Sequence, residues 1–489
     1  MKAITKVYIN GEFVTPHGTE VLDLISPTTG HKIGVVILAD EIDTQNAIAA
    51  AQAAFKTYSK STKAERLGHL ERLLEVVTRR KQDIIDVSVE EYGGTLQFSS
   101  LVAQNAINDI IAMIETLKNF DLETTTGHTK VRLQPVGVVG VIIPWNMSNG
   151  FIVTKLSTAL AAGCTAVVKP SEMSAMQTQV ITEIFHEAGL PKGVVNFVTG
   201  MGDVVGAELT RNPGISKIAF TGSTGVGKII AKGAVDTMKR VTLELGGKSP
   251  NIILDDANLQ VAIPTALMMA FFNSGQACAA ATRLLVPENR LEEVNAIAKA
   301  AAENTKVGDP KDADTVVGPM VSKKQYERVE GYIQAGIDEG ATLLTGGIGK
   351  PEGLEAGNFA KATIFTNVKN NMRIAQEEIF GPVVSIIPCD DLEDAIEIAN
   401  GIEYGLSSSL YTKDVNKAFS AIRDLYTGIT YINAPTIGAE VHLPFGGTKA
   451  TGNGHREGGI GAIDFYTEWK SVYVDYSDKL QKAQIDRAD

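Results

Sequence analysis

The sequence predicts an α/β chain built on doubly wound parallel sheets. Three observations carry this. From Val136 onward, apolar strand-like runs alternate with helical stretches, the βαβα pattern of a parallel sheet. A second such series begins after Asn251–Leu254. The length, 489 residues, exceeds what one hydrophobic core supports, so two or three domains are expected.

The elements follow in order. Residues 7–38 hold three strand-like runs, VYINGEFV, VLDLISP and KIGVVIL, and Asn10-Gly11 is a hairpin turn signal. Alanine-rich helical spacing runs from Asp43 to Tyr58. Thr62 and Glu65 form a capping-box pattern ahead of Leu67, Leu70, Leu73, Leu74 and Val77, and a third helix covers Leu96–Leu117. Residues 117–135 are polar and weakly periodic, an arm or a solvated loop. The alternating series then gives strands in VGVVGVIIP, CTAVVKP, GVVNFVTG, ISKIAFTGS and RVTLELGG. Between them lie helices over Gly150–Ala162, Ser174–Ala188, Asp203–Thr210 and Thr224–Val235. Gly189 and Pro191 stop the second of these helices. In the second series Asn258–Asn273 is a helix, TRLLVPE a strand, and helices fall near 290–305 and 323–338. Strands follow at Val383–Ile387, Ser408–Tyr411 and Ile429–Ile432, and the tail DFYTEWKSVYVDYS reads as a strand with an exposed edge.

Composition narrows the function classes. Hydrophobic residues make up 44% and charged residues 21%, ordinary for a globular protein. A net charge of −12 argues against nucleic acid or an anionic membrane as partner. The N-terminus shows no secretory pattern, and the longest apolar runs, such as Val136–Pro144, are too short to span a bilayer. Three cysteines, Cys164, Cys278 and Cys389, fit a reducing cytoplasm rather than a disulfide framework. Seven scattered histidines predict no metal site.

Ligands in such sheets bind at the carboxyl ends of the strands, and the chemically suggestive residues fall there. Cys278 sits among small residues, Ser274, Gly275, Ala277, Ala279, Ala280 and Ala281, so its thiol is either a reachable nucleophile or a small packed hydrophobe. Cys164, in ALAAGCTAVV, reads as core, and Cys389 shows no chemistry. Glu244 ends a strand before Gly246-Gly247; it suits a general base if buried, or an ion pair with Lys248. Asn146, in PWN, can donate to an oxyanion or cap the next helix. Lys169 and Glu172, in KPSE, suit a ribose, and the carboxylate would repel a 2′-phosphate. Phe220-Thr221-Gly222-Ser223-Thr224-Gly225-Val226-Gly227 joins a strand to a helix N-terminus, a seat for a pyrophosphate, although its spacing is not the dinucleotide fingerprint.

Seven motifs occur together and in order: PWN, KPSE, FTGSTGVGK, LELGGKSP, SGQAC, EEIFGP and LPFGGTKATG. With them the chain resembles the NAD(P)-dependent aldehyde dehydrogenase superfamily from about residue 7 to about residue 475. The resemblance implies a cofactor-binding and a catalytic domain, each a doubly wound parallel sheet, plus a small β oligomerisation arm. Residues 1–116 and 136–247 would bind NAD, 248–450 would form the catalytic domain, 117–135 and 468–489 the arm, and 451–467 a return segment. Cys278 would attack the aldehyde carbon, Asn146 and the Cys278 amide would hold the oxyanion, and Glu244 would activate the water that hydrolyses the thioester. Lys169 and Glu172 would bind the adenosine ribose. Gly202, Gly206, Ser223 and Val226 would line the adenine and pyrophosphate region. Ile142, Ile143, Pro144, Trp145, Phe220, Thr221, Gly222 and Leu245 would complete the cofactor surface. Glu378 would bind the nicotinamide ribose with Phe380 against it, and Lys155 and Glu457 match positions assigned to proton relay. NAD is expected over NADP, which Lys169 also permits, and a homodimer or homotetramer is expected.

Relatives that pass the acyl group to coenzyme A typically lack a carboxylate at the position of Glu244, so the product expected is a free acid. The substrate side is thinner. Met147 replaces the usual aromatic after PWN, and the segment Asn433–Pro444, with Glu440 and His442, is most similar to semialdehyde dehydrogenases of the 2,5-dioxopentanoate type. Simple aliphatic aldehydes fit the same tunnel, and Glu440 and His442 equally read as surface residues. Two other readings use the same residues: a catalytically idle binding or structural relative, which has no reason to keep Cys278, Glu244, Asn146, Lys169 and Glu378 together, and a thiol esterase, which needs no cofactor.

Overall fold

The computed structural model describes residues 2–126, 129–438 and 441–473. Two seven-stranded sheets dominate it. The first runs in the order Arg240–Glu244, Lys217–Thr221, Val138–Ile142, Thr165–Lys169, Val195–Phe197, Val7–Ile9, Glu12–Val14. Its first five strands are parallel; Val7–Ile9 joins them antiparallel, and Glu12–Val14 pairs antiparallel with Val7–Ile9. The second runs Thr342–Thr345, Thr363–Thr366, Val383–Cys389, Arg283–Pro287, Pro250–Ile253, Ser407–Tyr411, Ile429–Ile432, parallel except at the Thr342–Thr345 edge.

Alternation along each strand explains why both faces carry helices. Val139, Val141, Ala166 and Val168 enter one apolar cluster, while Val138, Ile142, Val167 and Ile218 enter another on the opposite face. The second sheet divides the same way: Ile252, Leu285 and Phe365 to one face, Ile253, Leu284, Val286 and Ile364 to the other. A parallel sheet buried on both faces reads as a continuous apolar run, which is why these strands are visible in the sequence. Helix ends obey local rules. Thr62 and Glu65 close a reciprocal capping box on the Lys63–Arg79 helix. Gly163, at φ 86°, ends the almost wholly buried Ser148–Ala162 helix in the left-handed region.

Several expectations need correction. The stretch expected as a helix over Asp203–Thr210 is a π-turn at Gly202–Gly206 running into a short α-helix, Ala207–Arg211. The Leu96 helix extends to Asn119, so the segment expected to leave at residue 117 does so later, as Glu123–Thr126 paired with Thr129–Pro135. The strands Lys2–Ile4, Thr342–Thr345 and Thr363–Thr366, and the helices Lys81–Val87, Leu392–Asn400, Val415–Asp424 and Gly459–Phe465, were not anticipated. Most are short, and several are edge elements in which half-exposed faces weaken the pattern.

The C-terminal segment ties the pieces together. Gly452 bridges Glu244, the Gly459–Phe465 helix packs on Ser148–Ala162, and Thr467–Tyr473 pairs antiparallel with Thr129–Pro135 at the edge of a three-stranded sheet. The rest of the expected arm, 474–489, lies outside the described residues, as does Glu440. Among the described residues no helix is long and apolar enough to cross a membrane, and no group of three His, Cys, Asp or Glu could hold a metal ion.

Candidate active site

The parallel register brings four strand ends to one line. Ile142 lies beside Phe220 and Lys169, and Thr221 lies beside Glu244. Each strand then stops at a loop named in the sequence: Ile143-Pro144-Trp145, KPSE, FTGS and LGG. Lys169, almost fully buried, holds Glu172 at 3.1 Å, and Ser171 caps the turn that carries Glu172. Ser223 caps the Thr224–Ala234 helix, whose first amides therefore face the same edge.

This edge has room for an extended ligand. A side chain added at Gly202 or Gly225 would meet nothing within 4 Å, and Gly206 would touch only Ile142. The Thr221 hydroxyl is buried without a partner, and Val226 is exposed. Other glycines are tight. Gly222 fits against the Phe220 ring, and Gly227 against Leu245, where a Cβ would come within 2.5 Å. An open cradle, a helix N-terminus and a Lys–Glu pair fit an anionic dinucleotide carrying ribose hydroxyls.

The LGG turn makes the junction between the two sheets. A Cβ at Gly246 would lie 2.8 Å from the Glu378 carboxylate, and one at Gly247 would lie 2.2 Å from the carbonyl oxygen of Cys278. The Gly247 amide donates to Glu378 at 2.9 Å. So these two positions hold glycine because Glu378 and the Cys278 backbone occupy the space. Burial pushes the Glu378 carboxyl up to about 7. Phe380 sits at φ 62° with its ring edge-on to Trp145, 5.4 Å between centroids.

The Cys278 loop is built from strained backbone and buried amides. Asn273 and Ser274 adopt φ 53° and 56°, conformations that cost non-glycine residues energy and must be held by their surroundings. Tyr92 donates to Asn273 Oδ1 at 2.7 Å. The Asn273 amide donates to the Gln276 carbonyl at 2.9 Å, and Gln276 Oε1 accepts from the Val321 amide at 3.0 Å. Asn146 Nδ2 also donates to the Gln276 carbonyl, at 2.9 Å. That bond goes against one of the two readings of Asn146. It does not cap the next helix, whose N-cap position is Met147; it points at the loop that carries Cys278.

Cys278 opens into a cavity of about 370 Å³. Asn146, Met147 and Glu457 share its wall, which is mostly apolar: Phe98, Leu101, Val102, Phe151 and Phe272 line the far part. Asp109 is the other carboxyl there. It accepts from the Thr154 hydroxyl, and burial pushes it up to about 7. No Lys, Arg or His lines the cavity among the described residues. His442 is exposed and outside this wall.

Glu244 is 4% exposed, and among the described residues no side chain forms an aligned hydrogen bond to either carboxyl oxygen. The pairing with Lys248 fails. Lys248 is itself buried without a hydrogen bond, pushed down to about 7 by burial and by Arg283, and Glu378 and Glu377 are the carboxylates that act on it. The close neighbour of Glu244 is His455, Nε2 to Oε1 3.1 Å, off the axis of an aligned bond. Burial, and the nearby Glu457, raise the Glu244 carboxyl well above its ordinary range. Lys155, fully buried, is paired with Glu457.

Cys164 is fully buried, its thiol donating to the Tyr466 carbonyl at 3.2 Å, and Cys389 is likewise buried, donating to Val286 at 3.3 Å. Of the three thiols only Cys278 faces open space. Burial first, then Glu378 and Glu244, push its thiol up to about 12. The thiolate fraction of the free protein therefore keeps growing with pH where an ordinary thiol, near 8.5, has levelled off. Alkylation of Cys278 by iodoacetamide is expected to rise about tenfold per pH unit up to at least about pH 10. A plateau below about pH 9, followed by peptide mass spectrometry, would contradict that environment.

The sequence missed Asn273, Gln276, Asp109 and His455. Only the first two carried a signal, polar amides inside a small-residue loop.

Comparison with known proteins follows the same lines. The profile of the Aldehyde dehydrogenase family matches residues 13–472. The 3-succinoylsemialdehyde-pyridine dehydrogenase of a Pseudomonas species is 40% identical over 474 residues, covering 96% of this chain and 99% of that protein. Among solved structures, a cysteine-to-alanine variant of aldehyde dehydrogenase C from Pseudomonas syringae, in complex with NAD+ and octanal, superposes with a TM-score of 0.94 at 38% identity, 96% of each chain being covered. The NAD+ complex of a Mycobacterium tuberculosis aldehyde dehydrogenase gives 0.93 at 37% identity, covering 98% of this chain and all of that one.

Proposed function

The chain belongs to the aldehyde dehydrogenase family, and from that premise we propose that it oxidises neutral aliphatic aldehydes to the free acids with NAD. The observation that carries the reading is Cys278 on the wall of a mostly apolar cavity, with Asn146 on the same wall and a buried carboxyl group, Glu244, near enough to act on the thiol.

The residues at the strand ends would hold the cofactor. Lys169 and Glu172 take the adenosine ribose, the Thr224–Ala234 helix N-terminus the pyrophosphate, Gly202, Gly206 and Val226 the adenine side, and Glu378 the second ribose. Ile142, Ile143, Pro144, Trp145, Phe220, Thr221, Gly222, Leu245 and Phe380 shape that surface. When bound, NAD accepts a hydride from the substrate. The relatives solved with NAD+ support this cofactor, and Glu172 opposes a 2′-phosphate.

The chemistry then belongs to the chain. The Cys278 sulfur bonds to the aldehyde carbon, and the oxygen that becomes negative is held by the Asn146 amide, with the Cys278 amide as second donor. For that, Asn146 turns one of its two N–H bonds to substrate while the other keeps the Gln276 carbonyl. Loss of hydride leaves a thioester on Cys278. Glu244 removes a proton from the water that attacks it, and the acid leaves. Lys155 is paired with Glu457, which lines the tunnel, and both act on the charge of Glu244.

The tunnel favours neutral chains over semialdehydes. Its described wall offers no cation to a distal carboxylate, and its own carboxyl groups, Asp109 and Glu457, give such a charge no counter-ion. The octanal complex of the Pseudomonas syringae relative supports the same class. The deciding experiment is NADH formation over a series of straight-chain aldehydes and their ω-carboxy counterparts, with NAD and NADP. Values of kcat/KM should rise up to about fourfold per methylene until the tunnel is filled. The carboxylated aldehyde should fall at least about tenfold below its neutral partner, because an unpaired charge must be desolvated. NAD should exceed NADP by about tenfold or more. A preference for ω-carboxy aldehydes would overturn the substrate class, and no NADH with any aldehyde would restore the idle-relative reading.

A further inference from the structure

Glu244 is handled from behind by a residue that the proposed reaction does not yet use. His455 is 4% exposed, with its Nε2 3.1 Å from Glu244 Oε1. Its other nitrogen is fixed. Asn453 Nδ2 donates to the Val241 carbonyl at 2.6 Å, which turns Asn453 Oδ1 towards His455 Nδ1 at 2.7 Å. Two acceptors cannot face each other at that distance, so Nδ1 carries the hydrogen. The Leu243 amide lies between them, 3.1 Å from Asn453 Oδ1 and 3.2 Å from His455 Nδ1, and with Nδ1 protonated it donates to Asn453 Oδ1. Nε2 then carries a lone pair and lies 3.1 Å from Glu244 Oε1, off the axis of an aligned bond. Phe465 lies edge-on to the ring, 5.8 Å between centroids, and holds its plane.

His455 also joins two spaces. On one side a cavity of about 10 Å³, room for one water, is lined by His455, Lys155, Glu457, Arg456 and Thr242. On the other His455 lines an open cleft with Lys217, Arg240, Asn453, Asp464 and Trp469, none of which belongs to the tunnel. Thus the imidazole stands between a buried carboxyl group and an open cleft that shares none of these residues with the tunnel.

We infer that His455 is a positioning residue and proton carrier for Glu244: its Nε2, in contact with the carboxyl, accepts the proton that Glu244 gives up and releases it into the cleft lined by Lys217 and Asp464. The inference rests on the thioester reading above. The protons balance as follows. Glu244 starts neutral, its hydrogen on the oxygen facing Nε2. Water oxygen bonds to the thioester carbon, and its proton goes to the free Glu244 oxygen as the first hydrogen crosses to Nε2. The tetrahedral carbon expels the Cys278 sulfur with the C–S electron pair, and the carboxylic acid formed gives its proton to that thiolate. His455, now an imidazolium, loses its added proton to water in the cleft. The sum is thioester plus water giving carboxylate, thiol and one proton.

The surroundings suit a pair that begins neutral. Lys155, Lys217 and Arg456 face His455, and with burial they push it down to about 3. Glu457 acts against ionisation of Glu244, while Lys155 and Arg456 act for it. A neutral pair needs no prior ionisation, so thioester hydrolysis should be flat with pH across neutrality. Without His455, Glu244 must ionise first, and hydrolysis should climb with pH.

The test follows a single turnover of the intact enzyme with an aliphatic aldehyde and NAD, reading NADH for thioester formation and acid quench for its decay. In His455→Phe, formation should stay within about twofold, while decay falls at least about tenfold at neutral pH and gains a slope of about one per pH unit. In His455→Ala, added imidazole should restore decay, and substituted imidazoles should restore it in proportion to their basicity; a brace alone would not respond to basicity. Unchanged decay and pH profile in both variants overturn the inference. So does rescue that is blind to the pKa of the azole. If the parent enzyme itself forms no quenchable thioester, the underlying reaction scheme fails, a result distinct from either.

Discussion

Replacing Cys278 by Ser should abolish aldehyde-dependent NADH formation, lowering kcat by about 10³-fold or more, while the protein folds as before. The loss is large because a hydroxyl in the same place is far less nucleophilic than a thiol and no adjacent base with a matching pKa is ready to activate it. Burial raises the Glu244 carboxyl well above its ordinary range, and the cavity wall around the sulfur is mostly apolar. The fold should survive because the Cys278 thiol faces a cavity rather than packed core. Its backbone, not its side chain, is what meets Gly247. The two other cysteines supply the control. Cys164→Ser and Cys389→Ser alter buried groups that already donate to carbonyls, and should leave kcat within about twofold while changing stability by roughly 1 kcal/mol. Steady-state assays and thermal melts on the three variants check this. Residual dehydrogenase activity in Cys278→Ser near the parent level would remove the thiol from the mechanism.

What the sequence made legible is what local pattern encodes. The inner strands of both sheets are apolar on both faces, so they show as continuous runs, and the strand-end motifs fall where a parallel sheet puts its ligands. Cys278, Glu244 and Asn146 stood out for the same reason, each in a loop of small or turn residues. The partners of these residues did not stand out. Lys248, four residues after Glu244, looked like its counter-ion, yet the turn at Gly246-Gly247 sends it towards Glu378. Asn146 read equally as a cap or an oxyanion donor, because capping is a short-range event that sequence can suggest. Its actual acceptor, the Gln276 carbonyl, lies 130 residues along the chain. His455 is 211 residues from Glu244 and reaches it only because Gly452 bridges the strand end. Long-range contacts of single polar side chains leave no periodicity, so one sequence does not reveal them. Glycines are the partial exception. Gly246 and Gly247 announce a close approach without saying to what, and the approach proves to be Glu378 and the Cys278 carbonyl.

Replacing Glu244 by Gln should separate the two halves of the reaction. An amide has nearly the shape of the carboxyl but cannot take a proton from water, so thioester formation proceeds and its hydrolysis slows by about 10²–10³-fold. Rapid mixing with NAD and aldehyde should then show one equivalent of NADH per site, followed by a slow steady state, and the intact acyl-protein should be visible by mass spectrometry on Cys278. Equal burst and steady-state rates, as in the parent, would place the base elsewhere. The same substitution carries a stability signature. Burial raises the Glu244 carboxyl in the folded protein, so the folded state keeps its proton at pH values where the unfolded chain has already lost it. Stability from this group is therefore fully present below the unfolded value, about 4.5, and is lost as pH rises from there through the raised folded value. Gln pays no such penalty. The variant should gain melting temperature over the parent as pH rises from about 4.5 towards neutrality, and gain none below it. A carboxyl ionised and well solvated in the folded state would give no such pH-dependent gap. Loss of turnover together with gain of stability is the pattern of a group kept in an unfavourable place for its chemistry, and it distinguishes a base held in reserve from a structural ion pair, whose removal would cost both.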